Sequence, residues 1–167
     1  MSLADESRKF ERRIREAPEL NGLDPLGQRS RYRIAAMAVL IDLVLATVHP
    51  DHFDQLLLTP IENDVERGDV EARGQLRWLK MWTAGTDSIA RDASDAELAE
   101  LLESGRKLIG QLFLIANYSN ARTGEPRFAT LYETLKRLEE REGYLAAACV
   151  MHLDIAFQDA KSAIGAK

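Results

Sequence analysis

Residues 34–48 read Ile-Ala-Ala-Met-Ala-Val-Leu-Ile-Asp-Leu-Val-Leu-Ala-Thr-Val, and Asp42 is the only ionisable side chain among them. A helix that is apolar on all sides has to be buried on all sides. At about 1.5 Å per residue the stretch extends roughly 22 Å, which is short of the ~30 Å hydrocarbon core of a bilayer. We therefore expect it to form the buried central helix of a bundle, over about residues 30–48, and not to insert into a membrane.

The rest of the chain also carries its apolar residues at helical spacing. From Leu98 to Ala116 they recur at steps of three and four residues, as one buried helix face requires. The sequence Ser-Asp-Ala-Glu at 94–97 is a capping box, which predicts a helix start at that point. No stretch shows the period-two alternation of a strand. The sequence thus predicts an all-α, single-domain bundle of about five to seven helices.

Two regions follow this predicted helix. Residues 117–126 read as a loop, and a long last helix is expected from near Pro126 to Ile164. Glu142-Gly143 interrupts its apolar pattern and predicts a kink there. Gly105 and Gly110 fall inside the preceding helical pattern, where glycine costs up to about 1 kcal/mol relative to alanine. Close approach of a neighbouring helix is the structural reason we expect for both.

Composition limits the class of protein. A chain of 167 residues fits one domain, and 46% apolar with 29% charged residues suits a folded core with a polar surface. The formal net charge of −5 argues mildly against nucleic acid as the main partner. Cys149 is the single cysteine, so no intramolecular disulfide can form. No signal-peptide pattern precedes Ile34, and we expect a reducing, cytoplasmic setting.

The first twenty residues form a separate, highly charged segment. Residues 3–16 predict a short helix whose thin apolar stripe is surrounded by arginines and interleaved with glutamates. We expect this helix to be solvated and to dock lightly on the bundle, as a charged N-terminal arm over about residues 1–20. The alternative is a contact arm for an acidic partner or for nucleic acid.

A small set of polar residues within apolar helices raises the possibility of a site in the core. Asp42 and His49 are seven residues apart on one predicted helix face, and Cys149 and His152 share a face of the last helix. Convergence of these four side chains would create a metal site or a small catalytic cluster. The alternative is that Asp42 is buried and held by an arginine or by hydrogen bonds, so that Asp42→Ala costs several kcal/mol. We predict no bound metal or other cofactor.

The residues that we expect to contact a partner belong to two groups. Arg29, Arg31, Tyr32 and Arg33 form the densest basic cluster, of a kind that holds phosphates or an acidic protein face. Arginines at the positive end of a helix dipole are unfavourable, so a compensating carboxylate or partner is expected if a helix begins there. The second group is the heptad-like seam of Phe128 and Leu131 with Leu135 and Leu138.

The leading functional hypothesis is therefore a non-enzymatic helical module for protein–protein interaction, regulation or assembly, with a protein partner or a second copy. No GxGxxG, Walker A, GxSxG or HExxH motif is present, which lowers the prior for a common enzyme. Two alternatives remain open at this point. One is a nucleic-acid-binding accessory protein that uses the basic N-terminal segments, and the other is a bundle that binds a small molecule or a metal.

Overall fold

The computed structural model of the chain describes residues 3–17, 27, 29–84, 94–142 and 144–165. Within these ranges the chain is helical apart from short turns, and it contains no strand. If the uninterrupted helical run 50–66 is counted once, the same ranges hold seven helices, and the predicted all-α bundle is confirmed. The helical segments are α1 (Leu3–Arg15), α2 (Arg29–Leu45), α3 (Pro50–Phe53), a π-helical turn (Asp54–Leu58), α4 (Thr59–Glu66), α5 (Val70–Ala84), α6 (Asp95–Thr123), α7 (Arg127–Glu142) and α8 (Tyr144–Gly165).

Helix α2 is the buried centre of the fold, as its composition predicts. Every apolar side chain of α2 from Ile34 to Leu45 is at most 7% exposed. The helix packs chiefly against α6 and α8, and it ends three residues before the predicted boundary, where Val48 donates a turn hydrogen bond to the Leu45 carbonyl. Among the described residues, no helix combines the length and apolar character that a membrane span requires.

Helix α6 is the longest element and extends beyond its predicted end. Ser94 caps it by accepting a hydrogen bond from the Glu97 amide, which confirms the predicted start. The prediction of a loop over residues 117–126 was wrong for 117–123, because Ala116 and Ser119 continue the buried face and keep the helix on the core. The helix ends at Gly124, whose φ of +71° is a left-handed conformation that glycine adopts without strain.

The two glycines of α6 have different surroundings. A Cβ on Gly105 would contact the Met37 sulfur and would lie 2.9 Å from the Trp78 ring, so three helices meet closely there, as expected. Trp78 is itself fixed by a 2.9 Å hydrogen bond from its indole nitrogen to the Leu101 carbonyl. A Cβ on Gly110 would meet nothing within 4 Å. The expected close approach is therefore found at Gly105 and not at Gly110.

The predicted last helix is two helices, of which α7 ends at Glu142 and α8 begins at Tyr144. The break falls at the predicted position, but the chain folds back on itself there instead of kinking. The Tyr132 hydroxyl donates a 3.0 Å hydrogen bond to Asp154, which is 22 residues later. In a continuous helix those residues would be roughly 33 Å apart. The two helices therefore pack against each other along their length.

Helix α1 packs on α7 through both apolar and charged contacts. Phe10 and Ile14 are buried in the core. Glu6 is also buried, and it accepts a 2.5 Å hydrogen bond from Arg127. Glu11 pairs with Arg137 on the same helix. These contacts fix the charged N-terminal helix against the bundle, and its carboxylates are used within the chain.

Candidate functional site

The four polar residues predicted as a possible core cluster lie in three separate places. Asp42 pairs with Arg13 of α1, and His49 lies just beyond the C-terminal end of α2. Cys149 and His152 lie on α8, with the Cys149 sulfur 3.9 Å from the Ala36 carbonyl oxygen. His152 contacts Arg33 near the start of α2, so roughly 18 Å of helix separates it from the His49 end. No group of three potential metal ligands is found among the described residues.

Burial keeps two of these residues, Cys149 and His152, uncharged at neutral pH. Burial raises the pKa of the Cys149 thiol to about 12, and the nearby charge of Arg13 only partly opposes this effect. The thiol is thus protonated at neutral pH and is a poor nucleophile. Burial, and then the charge of Arg33, lowers the pKa of His152 to about 4, so its ring is neutral at pH 7.

His49 belongs instead to a small polar junction between the α2–α3 turn and α6. The buried Ser119 hydroxyl accepts a 2.9 Å hydrogen bond from the His49 backbone amide and lies 2.9 Å from Nδ1 of His52. The two imidazole rings are 5.4 Å apart, and His52 also meets the Tyr118 ring edge-on. His49 Nδ1 accepts the Asp51 amide and so caps α3. The two contacts with Ser119 join the α2–α3 turn and α3 to α6, which assigns the junction a structural role.

The predicted contact residues are placed differently from one another. Phe128 and Leu131 are buried in the core, where the Phe128 ring packs edge-on against Phe113 of α6. The seam they begin therefore serves the intramolecular contacts of α7 and offers no surface to a partner. Tyr32 is also buried, and burial raises the pKa of its phenol. Arg31 and Arg33 are half-buried, and the Arg29 side chain lies outside the described residues.

A surface depression lies between α5 and α6, and we call it the α5–α6 groove. It has a volume of about 680 Å³ and is lined by side chains from residues 70–77 and 99–107. Its floor is formed by small and apolar residues, where α5 and α6 come so close that a Cβ on Gly74 would lie 2.7 Å from the Ser104 Cβ. Val70, at one edge, is 76% exposed although it is apolar.

Ion pairs between the two helices border the groove at both ends. Glu71 accepts a 3.1 Å hydrogen bond from Lys107 at one end, and Arg77 lies 3.5 Å from Glu97 at the other. The hydrogen bond to Glu71 is the main reason that the pKa of Lys107 is raised. Between these pairs the groove is open to solvent, although Leu101 and Ser104 at its bottom are at most 9% exposed. Periodicity in the sequence did not predict it, because the groove depends on how two helices pack and not on either helix alone.

Known proteins offer no assignment of this chain. No family model, no curated protein and no solved structure matches it. Within the described residues the α5–α6 groove is an open depression whose solvent-exposed lining is mainly apolar.

Proposed function

We propose that this protein is a non-enzymatic interaction module that binds an amphipathic helix of a protein partner in the α5–α6 groove. The single observation that carries the proposal is an open groove whose solvent-exposed lining is mainly apolar. Val70 at one end of the groove is 76% exposed, and Ala99 on the α6 side is exposed as well. Amphipathic helices bind grooves of this kind by inserting apolar side chains spaced three or four residues apart.

The dimensions of the groove suit a short anchor. Glu71 and Arg77, which carry the two bordering ion pairs, are six residues apart on α5, and this separation corresponds to about 9 Å. An α-helix rises 5.4 Å per turn, so one to two turns of a partner helix fit between the ion pairs. Such a segment places two or three apolar side chains on the floor. Full burial of each contributes about 1.5–3 kcal/mol of transfer free energy, before the cost of association is subtracted.

The charges on the two rims indicate the polarity of the partner. Arg73 on the α5 rim and Glu100 on the α6 rim have no ion pair among the described residues, whereas Glu71, Arg77 and Lys107 are all paired. A bound helix could pair with both residues. A carboxylate on one side of its apolar stripe would pair with Arg73, and an amine or guanidinium on the other side would pair with Glu100. Such rim charges influence orientation and specificity more than affinity.

A peptide selection tests this proposal. A phage-displayed library of helical peptides is panned against the full chain and, in parallel, against Val70→Asp and Leu114→Asp. Leu114 is the matched control, because it is an exposed apolar residue, 52% accessible, on α6 outside the groove. We expect the recovered peptides to show apolar spacing of three and four residues. Their affinity should fall at least about tenfold for Val70→Asp, which is 1.4 kcal/mol, and should be unchanged for Leu114→Asp.

Charge reversal adds a second criterion. Arg73→Glu should weaken peptides that carry a carboxylate beside the stripe and should favour peptides that carry a lysine there. The proposal fails if no peptide is enriched, or if the enriched peptides bind Val70→Asp as well as the parent chain.

A further inference from the structure

The turn that joins α2 to α3 ends on a histidine that acts as a helix cap. His49 has an extended backbone conformation, and its Nδ1 atom accepts a 3.2 Å hydrogen bond from the Asp51 amide. Pro50, the first helical residue, has no N–H group, so the Asp51 amide is the first donor of the helical run 50–66. The usual capping residues are Ser, Thr, Asp and Asn, whose side-chain oxygens remain acceptors throughout the neutral pH range.

An imidazole ring accepts a hydrogen bond through Nδ1 only while that nitrogen carries no proton. The His49 cap therefore requires the neutral ring with its proton on Nε2, because a protonated imidazole donates from both nitrogens and has no acceptor. Histidine is the side chain whose charge ordinarily changes between about pH 5 and pH 8. The His49 side chain is 48% exposed, so solvent protons reach it directly. The cap can thus form at the upper end of this pH range and is lost at the lower end.

The Asp51 carboxylate is placed to receive the His49 ring once the ring is protonated. Its Oδ2 atom lies 3.9 Å from the same Nδ1 atom, and the Asp51 side chain is 76% exposed, so it can change rotamer without disturbing the core. Protonation converts Nδ1 from an acceptor of the Asp51 amide into a donor to the Asp51 carboxylate. The two arrangements use one nitrogen atom and exclude each other, so the charge of the ring selects between them.

The other charged and titratable groups around this turn make a charged ring unfavourable in the capping position. The centre of the His52 ring lies 5.4 Å from the centre of the His49 ring. On α6, the Arg122 guanidinium lies 5.2 Å from the centre of the Tyr118 ring, which His52 meets edge-on. Asp54, the next acidic residue of the run, is exposed. Positive charge is also unfavourable at a helix N-terminus, so the protonated ring gains by leaving the capping position.

We propose that His49 is a pH-dependent helix cap, which fixes the start of the helical run 50–66 when its ring is neutral and releases it when its ring is protonated. In the capped state the turn is held against α6 as well, because the His49 amide donates to the buried Ser119 hydroxyl. In the released state the ring pairs with the Asp51 carboxylate, and the first turn of the run opens more often. The device does not depend on the function proposed for the α5–α6 groove.

NMR spectroscopy of the full chain between about pH 8 and pH 5 tests the cap directly. At the upper pH, the ring ¹⁵N shifts of His49 should identify the Nε2–H tautomer. As pH falls, the Asp51 amide resonance should shift with the same midpoint as the His49 ring nitrogens. The Phe53 amide, which donates to the His49 carbonyl, should lose about fivefold of its hydrogen-exchange protection, as removal of a cap implies. The Glu97 amide is the internal control and should not respond, because the hydroxyl of Ser94 caps it.

Two substitutions separate the cap from other titrations. His49→Asn keeps a capping oxygen that does not titrate, so the Asp51 amide shift and the Phe53 protection should become independent of pH over this range. His52→Asn removes the neighbouring imidazole and should leave both responses in place. An Nδ1–H tautomer of His49 at the upper pH overturns the proposal, as does a pH response that survives in His49→Asn. A response that His52→Asn abolishes assigns the switch to His52 and overturns it as well.

Discussion

Asp42 of α2 accepts a 2.6 Å hydrogen bond from Nε of Arg13 in α1, across 29 residues of sequence. The two side chains are 26% and 28% exposed, so the ion pair lies at the edge of the core and not within it. The arginine partner that the sequence suggested is present, but the full burial that it also suggested is not. This contact joins the N-terminal helix to the centre of the bundle.

Removing the Asp42 carboxylate should therefore cost less than its apolar sequence context implies. We expect Asp42→Ala to lower the free energy of unfolding by about 1–3 kcal/mol, because Arg13 loses a charged acceptor but retains access to water. Urea denaturation of Asp42→Ala, Arg13→Gln and the double variant isolates the coupling, expected to be about 1 kcal/mol. A coupling of zero would show that the pair contributes nothing to stability.

Asn120 should be one of the most sensitive polar residues of α6. Its side chain donates a 2.8 Å hydrogen bond to the Thr47 carbonyl and accepts a 2.7 Å hydrogen bond from the Phe128 amide. It thus joins the end of α2, the end of α6 and the start of α7. Asn120→Ala should destabilise the protein by about 2–3 kcal/mol, since it removes a helix cap and leaves a carbonyl without a partner.

Asn117 is the matched control for Asn120. It lies on the same helix, is exposed, and bonds only the Phe113 carbonyl of its own helix among the described contacts. Chemical denaturation of Asn117→Ala should show a change within about 0.5 kcal/mol. Similar losses for the two variants would contradict the role assigned to Asn120.

Substituting the two glycines of α6 with alanine should have opposite effects. Gly105→Ala places a methyl group against the Met37 sulfur and the Trp78 ring, and the overpacking should exceed the gain in helix propensity by about 1–2 kcal/mol. Gly110→Ala meets no neighbouring atom and should stabilise the protein by about 0.5–1 kcal/mol. Thermal melts of the two variants provide the comparison, and a stabilised Gly105→Ala would show that α5 and α2 do not approach α6 as described.

His152 should make stability depend on pH. Its pKa is about 4 in the folded chain, against an ordinary value of 6.5, so the unfolded state binds the extra proton between these values. The free energy of unfolding should fall as pH drops through this window. Between pH 7 and pH 4.5, His152 should account for roughly 2–3 kcal/mol of that fall. Urea denaturation at the two pH values, for the parent chain and for His152→Gln, measures this contribution.

Comparing the parent chain with His152→Gln removes the effect of carboxylate titration on stability, because both proteins have the same carboxylates. The parent chain should lose about 2–3 kcal/mol more than His152→Gln over the same interval. Parallel losses would mean that His152 titrates near its ordinary pKa and is more accessible to water than its 5% exposure indicates.

Sequence periodicity predicted the parts of the fold that local chemistry controls. Residues 34–48 offered no polar face, so burial of α2 was the only outcome compatible with water. Ser94 fixed the start of α6 through a hydrogen bond to an amide three residues away. The break between α7 and α8 was likewise visible, because Glu142-Gly143 interrupts the apolar pattern in the sequence.

Only the tertiary structure decided what each buried face packs against. The Phe128 and Leu131 seam could have met a partner or the same chain, and its contacts with the rest of the bundle now show the second outcome. The reversal between α7 and α8 brought Tyr132 to Asp154, and packing of α8 on α2 brought His152 to Arg33. A repeat specifies that a helix face is apolar, whereas the neighbour of that face depends on many weak, non-local contacts summed over the whole bundle.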